Sequence, residues 1–143
     1  MKVFTLSGLL LLSIVFVSCK KDRPESACTV SRSTLAGNYL VTAISYKASP
    51  SLPEQDFLLY MPDCSKDNLL QLNADGTYNY LEGANVCDPS DAGSGVWSVA
   101  GDRVISDGTL NGTVQRYDCK ALVYYLEDVL AEGDRMTFTI TRQ

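Results

Sequence analysis

Apolar and polar positions alternate with period two along much of the chain after residue 36. Neighbouring side chains on a strand point to opposite faces, so this period predicts half-buried strands. The stretch Cys64 to Cys87 shows it most clearly. Leu70 and Leu72 share one face and Gln71 and Asn73 the other, while Tyr78 and Tyr80 oppose Thr77 and Asn79. Between the two runs stands Asn73-Ala74-Asp75-Gly76. Asn at the first position and Gly at the fourth suit a type I turn closed by a left-handed glycine, hence a bulged hairpin. Setting Asn73 opposite Thr77 pairs Leu70 with Tyr80 and carries Cys64 opposite Val86. Cys87 is then one residue away, within a bulge's reach of a disulfide.

Further strands follow from the same pattern. Asn38 to Lys47 is rich in β-branched and aromatic residues. Short strands are expected at Gly95 to Val99, at Arg103 to Ser106 and at Thr113 to Tyr117. Met136, Phe138 and Ile140 alternate with Arg135, Thr137 and Thr139 in a terminal strand from Asp134 to Arg142. Ala121 to Leu130 is ambiguous. Leu122, Tyr125, Leu126, Val129 and Leu130 fit one helix face, whereas Val123, Tyr124 and Tyr125 favour a strand, and the first half is read as strand. Ser31 to Ala36 is expected to form one helical turn before the first strand. The connection from Ala48 to Asp63 carries Pro50, Pro53 and Pro62 around an apolar run, Phe57-Leu58-Leu59-Tyr60-Met61. That run either packs over the core or forms a lid or wall of a ligand cavity.

About eight strands joined largely by hairpin signals predict an all-β fold, an antiparallel up-and-down barrel or a sandwich. Closure removes the edges that an open sheet would expose, which favours a barrel, complete or half-open.

The chain has 143 residues, room for one domain. Its first 18 residues read as a targeting segment. Lys2 precedes an apolar stretch, Leu6 to Val17, too short to span a bilayer and suited to a signal-peptide core. Phe16-Val17-Ser18-Cys19 then resembles the lipobox of bacterial lipoproteins, with Phe where Leu is usual. The resemblance implies that Cys19 is lipidated, becomes the new N-terminus and anchors the protein in a membrane. The alternative is an ordinary signal peptide cleaved nearby. Lys20, rather than Asp, follows the cysteine, which implies the outer membrane, on its periplasmic side or at the cell surface; Lys20-Lys21-Asp22 looks somewhat like surface-export signals of such lipoproteins. Residues 19–33 are expected to be a polar tether and residues 34–143 the barrel domain.

With Cys19 assigned to lipid, Cys28, Cys64, Cys87 and Cys119 remain. An even number in an exported chain points to two disulfides among three connectivities. The hairpin register favours Cys64–Cys87 and leaves Cys28–Cys119. Zinc is disfavoured, since no C-x-x-C pair is present.

Charge and residue types remove several function classes. The formal net charge is −5, and loss of Lys2 with the leader makes it one unit more acidic, which gives no support for nucleic-acid binding. The chain contains no histidine, so Ser-His and Cys-His nucleophile pairs and the commonest metal ligand are missing. Asp88, Asp91, Asp102, Asp107 and Asp134 sit in turn contexts that Asx chemistry explains. Asp63, Asp67 and Asp75 with Asn68 and Asn73 do not fit a calcium-loop spacing. Asn111-Gly112-Thr113 matches a glycosylation sequon but is read as a turn, and no glycine-rich phosphate loop appears. Neither an enzyme nor a cofactor or metal is expected.

Together, Gly37-Asn38-Tyr39, Cys64, Asp67-Asn68 leading into Leu70 and Leu72, Asp75-Gly76-Thr77, Cys87 and Ser94-Gly95-Val96-Trp97 resemble the small lipocalin-like lipoproteins of diderm bacteria. Tyr39 stands where lipocalin strands start G-x-W. The resemblance covers Leu35 to Arg142 and implies a calycin-type barrel, without catalytic residues to carry over. Two non-enzymatic functions are therefore expected as alternatives. One is a binder of a small apolar ligand inside the barrel, with Tyr39, Phe57, Leu59, Met61, Tyr78 and Trp97 at the site and Phe57, Leu59 and Met61 facing inward across one end. The other is a structural or interaction module of the envelope whose barrel is filled by side chains, as eight-stranded barrels can be, and whose outer surface docks a protein partner.

Overall fold

The computed structural model describes residues 28–108 and 110–143. The leader, Cys19 and the first part of the tether lie outside the described residues. Ser31 caps one helical turn, α1 (Arg32–Leu35): its hydroxyl accepts from the Thr34 N–H, and the Thr34 hydroxyl accepts from the Ser31 N–H in return. Each bond satisfies a helix-start donor that otherwise has no partner. The strands that follow are β1 (Gly37–Lys47), β2 (Gln55–Asp56), β3 (Leu69–Leu72), β4 (Thr77–Leu81) and β5 (Gly93–Ala100). They continue with β6 (Arg103–Ser106), β7 (Gly112–Tyr117), β8 (Ala121–Glu127) and β9 (Arg135–Arg142).

All pairings are antiparallel. Strands β3 to β9 follow one another in order, and β9 returns to pair with β1 from Tyr39–Arg142 to Lys47–Arg135. Eight strands thus form a closed barrel, and β2 is an extra strand laid on the upper part of β1 at Ser45–Asp56 and Tyr46–Gln55. The ambiguous stretch is strand over Ala121–Glu127, seven residues paired with β9.

The central hairpin has the expected register. Leu70 faces Tyr80 and Leu72 faces Tyr78. Gly76 adopts φ +94°, and its N–H donates to the Asn73 carbonyl. A side chain there is excluded twice over: the conformation disfavours an L-residue, and a Cβ would stand 2.6 Å from the Arg32 guanidinium. The ladder does not run on to the cysteines, however. It stops at Leu69–Leu81, because residues 63–65 wind into a 3-10 turn and the side-chain oxygen of the buried Asn68 accepts the Gly83 N–H instead. Cys64–Cys87 therefore links two loops rather than two strand ends, with Cα atoms 5.2 Å apart.

Strand directions define two ends. At one end lie α1, the hairpin turn at Asn73–Gly76, and the β5–β6 and β7–β8 turns. This end is a sealed floor. Leu35 and Tyr39 are fully buried, and the Tyr39 hydroxyl donates to the Leu35 carbonyl at 2.9 Å. One Arg142 nitrogen donates to the Thr34 carbonyl and to the Tyr39 and Tyr117 hydroxyls, at 2.6, 2.9 and 3.0 Å. Trp97 closes the floor under the hairpin, its indole N–H donating to the Asn73 and Thr77 carbonyls. Cys28–Cys119 pins the incoming chain to the β7–β8 turn, and the Cys28 N–H donates to the Tyr117 carbonyl. Residues 28–33, expected as tether, are thus bound to the floor.

Candidate functional site

The other end is a mouth, formed by the β1–β3 connection and the β4–β5, β6–β7 and β8–β9 loops. A cavity of about 500 Å³ leads from it into the barrel. This volume falls within the usual range for small-molecule sites. Alternation places its walls. Val41 and Ile44 come from β1, where a bulge between Val41 and Ala43 keeps both inward. Leu70 comes from β3, Tyr78 and Tyr80 from β4, Tyr124 from β8, and Phe138 and Ile140 from β9. Leu110 and Gly108 of the β6–β7 loop complete one side, and any Cβ at Gly108 would run into the Tyr78 hydroxyl. Tyr124 and Phe138 stack with centroids 5.3 Å apart.

The polar groups are few. Ser65 is buried in the 3-10 turn, and its hydroxyl donates to the Asp91 carboxylate. Burial raises the Tyr124 phenol well above its ordinary pKa, and the adjacent Tyr80 adds to the shift. Tyr80 is raised first by burial and also by the charge of Asp91, against an opposing influence of the nearby Asn68 amide. Tyr78 is raised by burial and by the Asp107 carboxylate. All three phenols stay neutral at physiological pH and so serve as hydrogen-bonding groups.

The six residues expected at a ligand site part company. Met61 and Tyr78 line the cavity. Tyr39 and Trp97 belong to the floor, held there by the hydrogen bonds described above, and do not line it. Phe57 is half-buried at the rim, its ring 4.7 Å from that of Tyr46 and its N–H bonded to the Ile44 carbonyl. Leu59 is corrected outright: it is 74% exposed, as is Tyr60 at 76%. Residues 58–60 form a single 3-10 turn, which cannot turn five consecutive side chains the same way. Tyr80, Tyr124 and Phe138, outside the six expected site residues, also line the cavity, Tyr80 in phase with Tyr78 and Phe138 with Ile140.

Among the described residues no three His, Cys, Asp or Glu side chains converge as metal ligands. Asp134, in the β8–β9 loop, is buried yet fully used. Its carboxylate accepts the Val129, Leu130 and Ala131 N–H groups at 2.7–2.8 Å and the Tyr46 hydroxyl at 3.0 Å. Burial pushes its pKa up, but these donors outweigh it and hold the carboxyl below the usual range. A separate polar hollow of about 240 Å³ lies outside the barrel, bordered by Lys47, Glu54, Glu127 and Arg135. It offers no apolar wall of the kind that holds a small molecule by burial. No family model matches the chain, and no curated protein matches it either.

Proposed function

We propose that this chain is a lipid-anchored envelope protein, of lipocalin-like type, that binds a small, largely apolar molecule in its barrel. The observation that carries the binding reading is the open cavity beneath the mouth, walled by Val41, Ile44, Leu70, Phe138 and Ile140. A barrel built only as a structural plug has no use for an unfilled apolar space, since unfilled space forfeits packing. The two disulfides support an oxidising compartment, and the leader followed by Cys19 supports the anchor.

Mass spectrometry of small molecules that co-purify with the protein tests the binding reading. A stoichiometric apolar ligand is expected, lost when Phe138 and Ile140 are both changed to polar residues of similar size. A protein that carries nothing and binds no apolar probe would return the barrel to a filled module. Cys19→Ser is expected to release the protein from membranes, and a variant that still pellets with them refutes the anchor.

A second reading rests on the mouth rim, where Leu59, Tyr60, Val86 and Leu130 stand largely in solvent on three loops. Such a rim suits a protein partner docked over the opening. Cross-linking from position 59 separates this reading from the first.

A further inference from the structure

The cavity carries a charge asymmetry that apolarity alone does not require. Building on the binding reading above, we infer that it selects an organic cation, a compact hydrocarbon bearing an ammonium group, and rejects carboxylate-headed chains of the same length. Among the described residues, Asp91 is the single carboxylate in the cavity wall, where it also meets solvent, and neither Lys nor Arg lines it. Asp91 is positioned from both sides. Its backbone N–H donates to Glu82 at 2.8 Å, and one carboxylate oxygen takes the Ser65 hydroxyl. The other oxygen accepts no hydrogen bond from the described residues and so is free to take a donor.

The walls next to Asp91 suit the same charge. Tyr78, Tyr80, Tyr124 and Phe138 bring four aromatic rings to the wall, and aromatic rings attract cations most strongly when water is excluded. Asp107 lies behind the wall, beside Tyr78, and adds to the negative potential there. An anion brought here would lose its hydration without gaining a countercharge. Nearby cations do not relieve this. Lys66 is paired with Asp63 at 2.5 Å, and Lys47 borders the separate outer hollow. The ligand therefore sits with its hydrocarbon among Leu70, Phe138 and Ile140 and its ammonium at Asp91.

Calorimetric titration of the intact protein with decylammonium, decanol and decanoate tests this, because the three probes share a chain and differ in head-group charge. Decylammonium is expected to bind about tenfold or more tighter than decanoate, with decanol between. Asp91→Asn is expected to erase the preference while leaving decanol unchanged. Ser65→Ala, which removes the hydroxyl contact but keeps the carboxylate, is expected to retain it. Equal binding of the two charged probes, or a preference that survives Asp91→Asn, overturns charge selection. In that case decanol binding leaves the apolar cavity reading standing. Failure of all three probes to bind refutes both.

Discussion

The two disulfides close loops of very different size, and the difference is measurable. Cys28–Cys119 spans 91 residues and Cys64–Cys87 spans 23, the smaller loop lying inside the larger. A cross-link restricts the unfolded chain, with an entropy that grows with the logarithm of the loop. Allowing for the nesting, removal of the outer bridge should cost roughly 4.5 kcal/mol and removal of the inner one roughly 3.3 kcal/mol. The perturbations are the double variants Cys28→Ser/Cys119→Ser and Cys64→Ser/Cys87→Ser, which leave no free thiol from the broken pair. Equilibrium urea unfolding followed by Trp97 fluorescence is the assay, since the indole is fixed at the floor by the Asn73 and Thr77 carbonyls. Both variants should unfold with a larger denaturant slope, because a freer unfolded chain exposes more surface. The outer-bridge variant should be the less stable by about 1 kcal/mol. A small domain has only about 5–15 kcal/mol in total, so that variant is expected to lie near the limit of folding. If the inner-bridge variant is the weaker one, with slopes unchanged, the stabilisation lies in native contacts of the mouth loops and the chain-entropy reasoning fails.

Leu122→Ala, at a fully buried position of β8, is expected to cost about 2–5 kcal/mol by the same unfolding assay. Gly76→Ala should destabilise by about 1 kcal/mol or more, since φ +94° strains an alanine and its Cβ meets Arg32. Met61→Ser should weaken binding of an apolar probe while Leu59→Ser leaves it unchanged, because only Met61 lines the cavity. Asp134 holds a depressed pKa in the fold, so its contribution is present above the ordinary carboxylate range and is lost as pH falls through the folded-state value. Acid titration of stability should therefore show a loss starting below about pH 4 that Asp134→Asn lacks.

The barrel was legible wherever a local rule and the tertiary outcome agreed. The hairpin register follows from one turn and two alternating runs; carried past Leu69–Leu81 it points to the right cysteine pairs, although the ladder ends there and loops bring Cys64 to Cys87. The mouth was less legible. Five apolar residues in a row have no period, so nothing in Phe57 to Met61 tells Leu59 from Met61; the surrounding loops decide that Leu59 is exposed. β2 has no sequence signal, because two residues, Gln55 and Asp56, carry no alternation, and only the free edge of β1 makes them a strand. Tyr39 and Trp97, expected at the ligand site, are held at the floor instead. Their polar tips find carbonyl partners at the floor, and those partners lie in turns whose approach the sequence does not reveal.

Closure through β1 and β9 has a kinetic consequence. The two strands that seal the barrel are nearly the first and last of the chain, and Tyr39 and Arg142 meet across 103 residues. The contact order of this seam is therefore close to the maximum the described chain permits, and such contacts form slowly. Until β9 is made and released, β1 and β8 both present unpaired edges, which invite pairing with other chains. Any nascent chain that ends before Arg135 is in this state, however well its central hairpin has already formed.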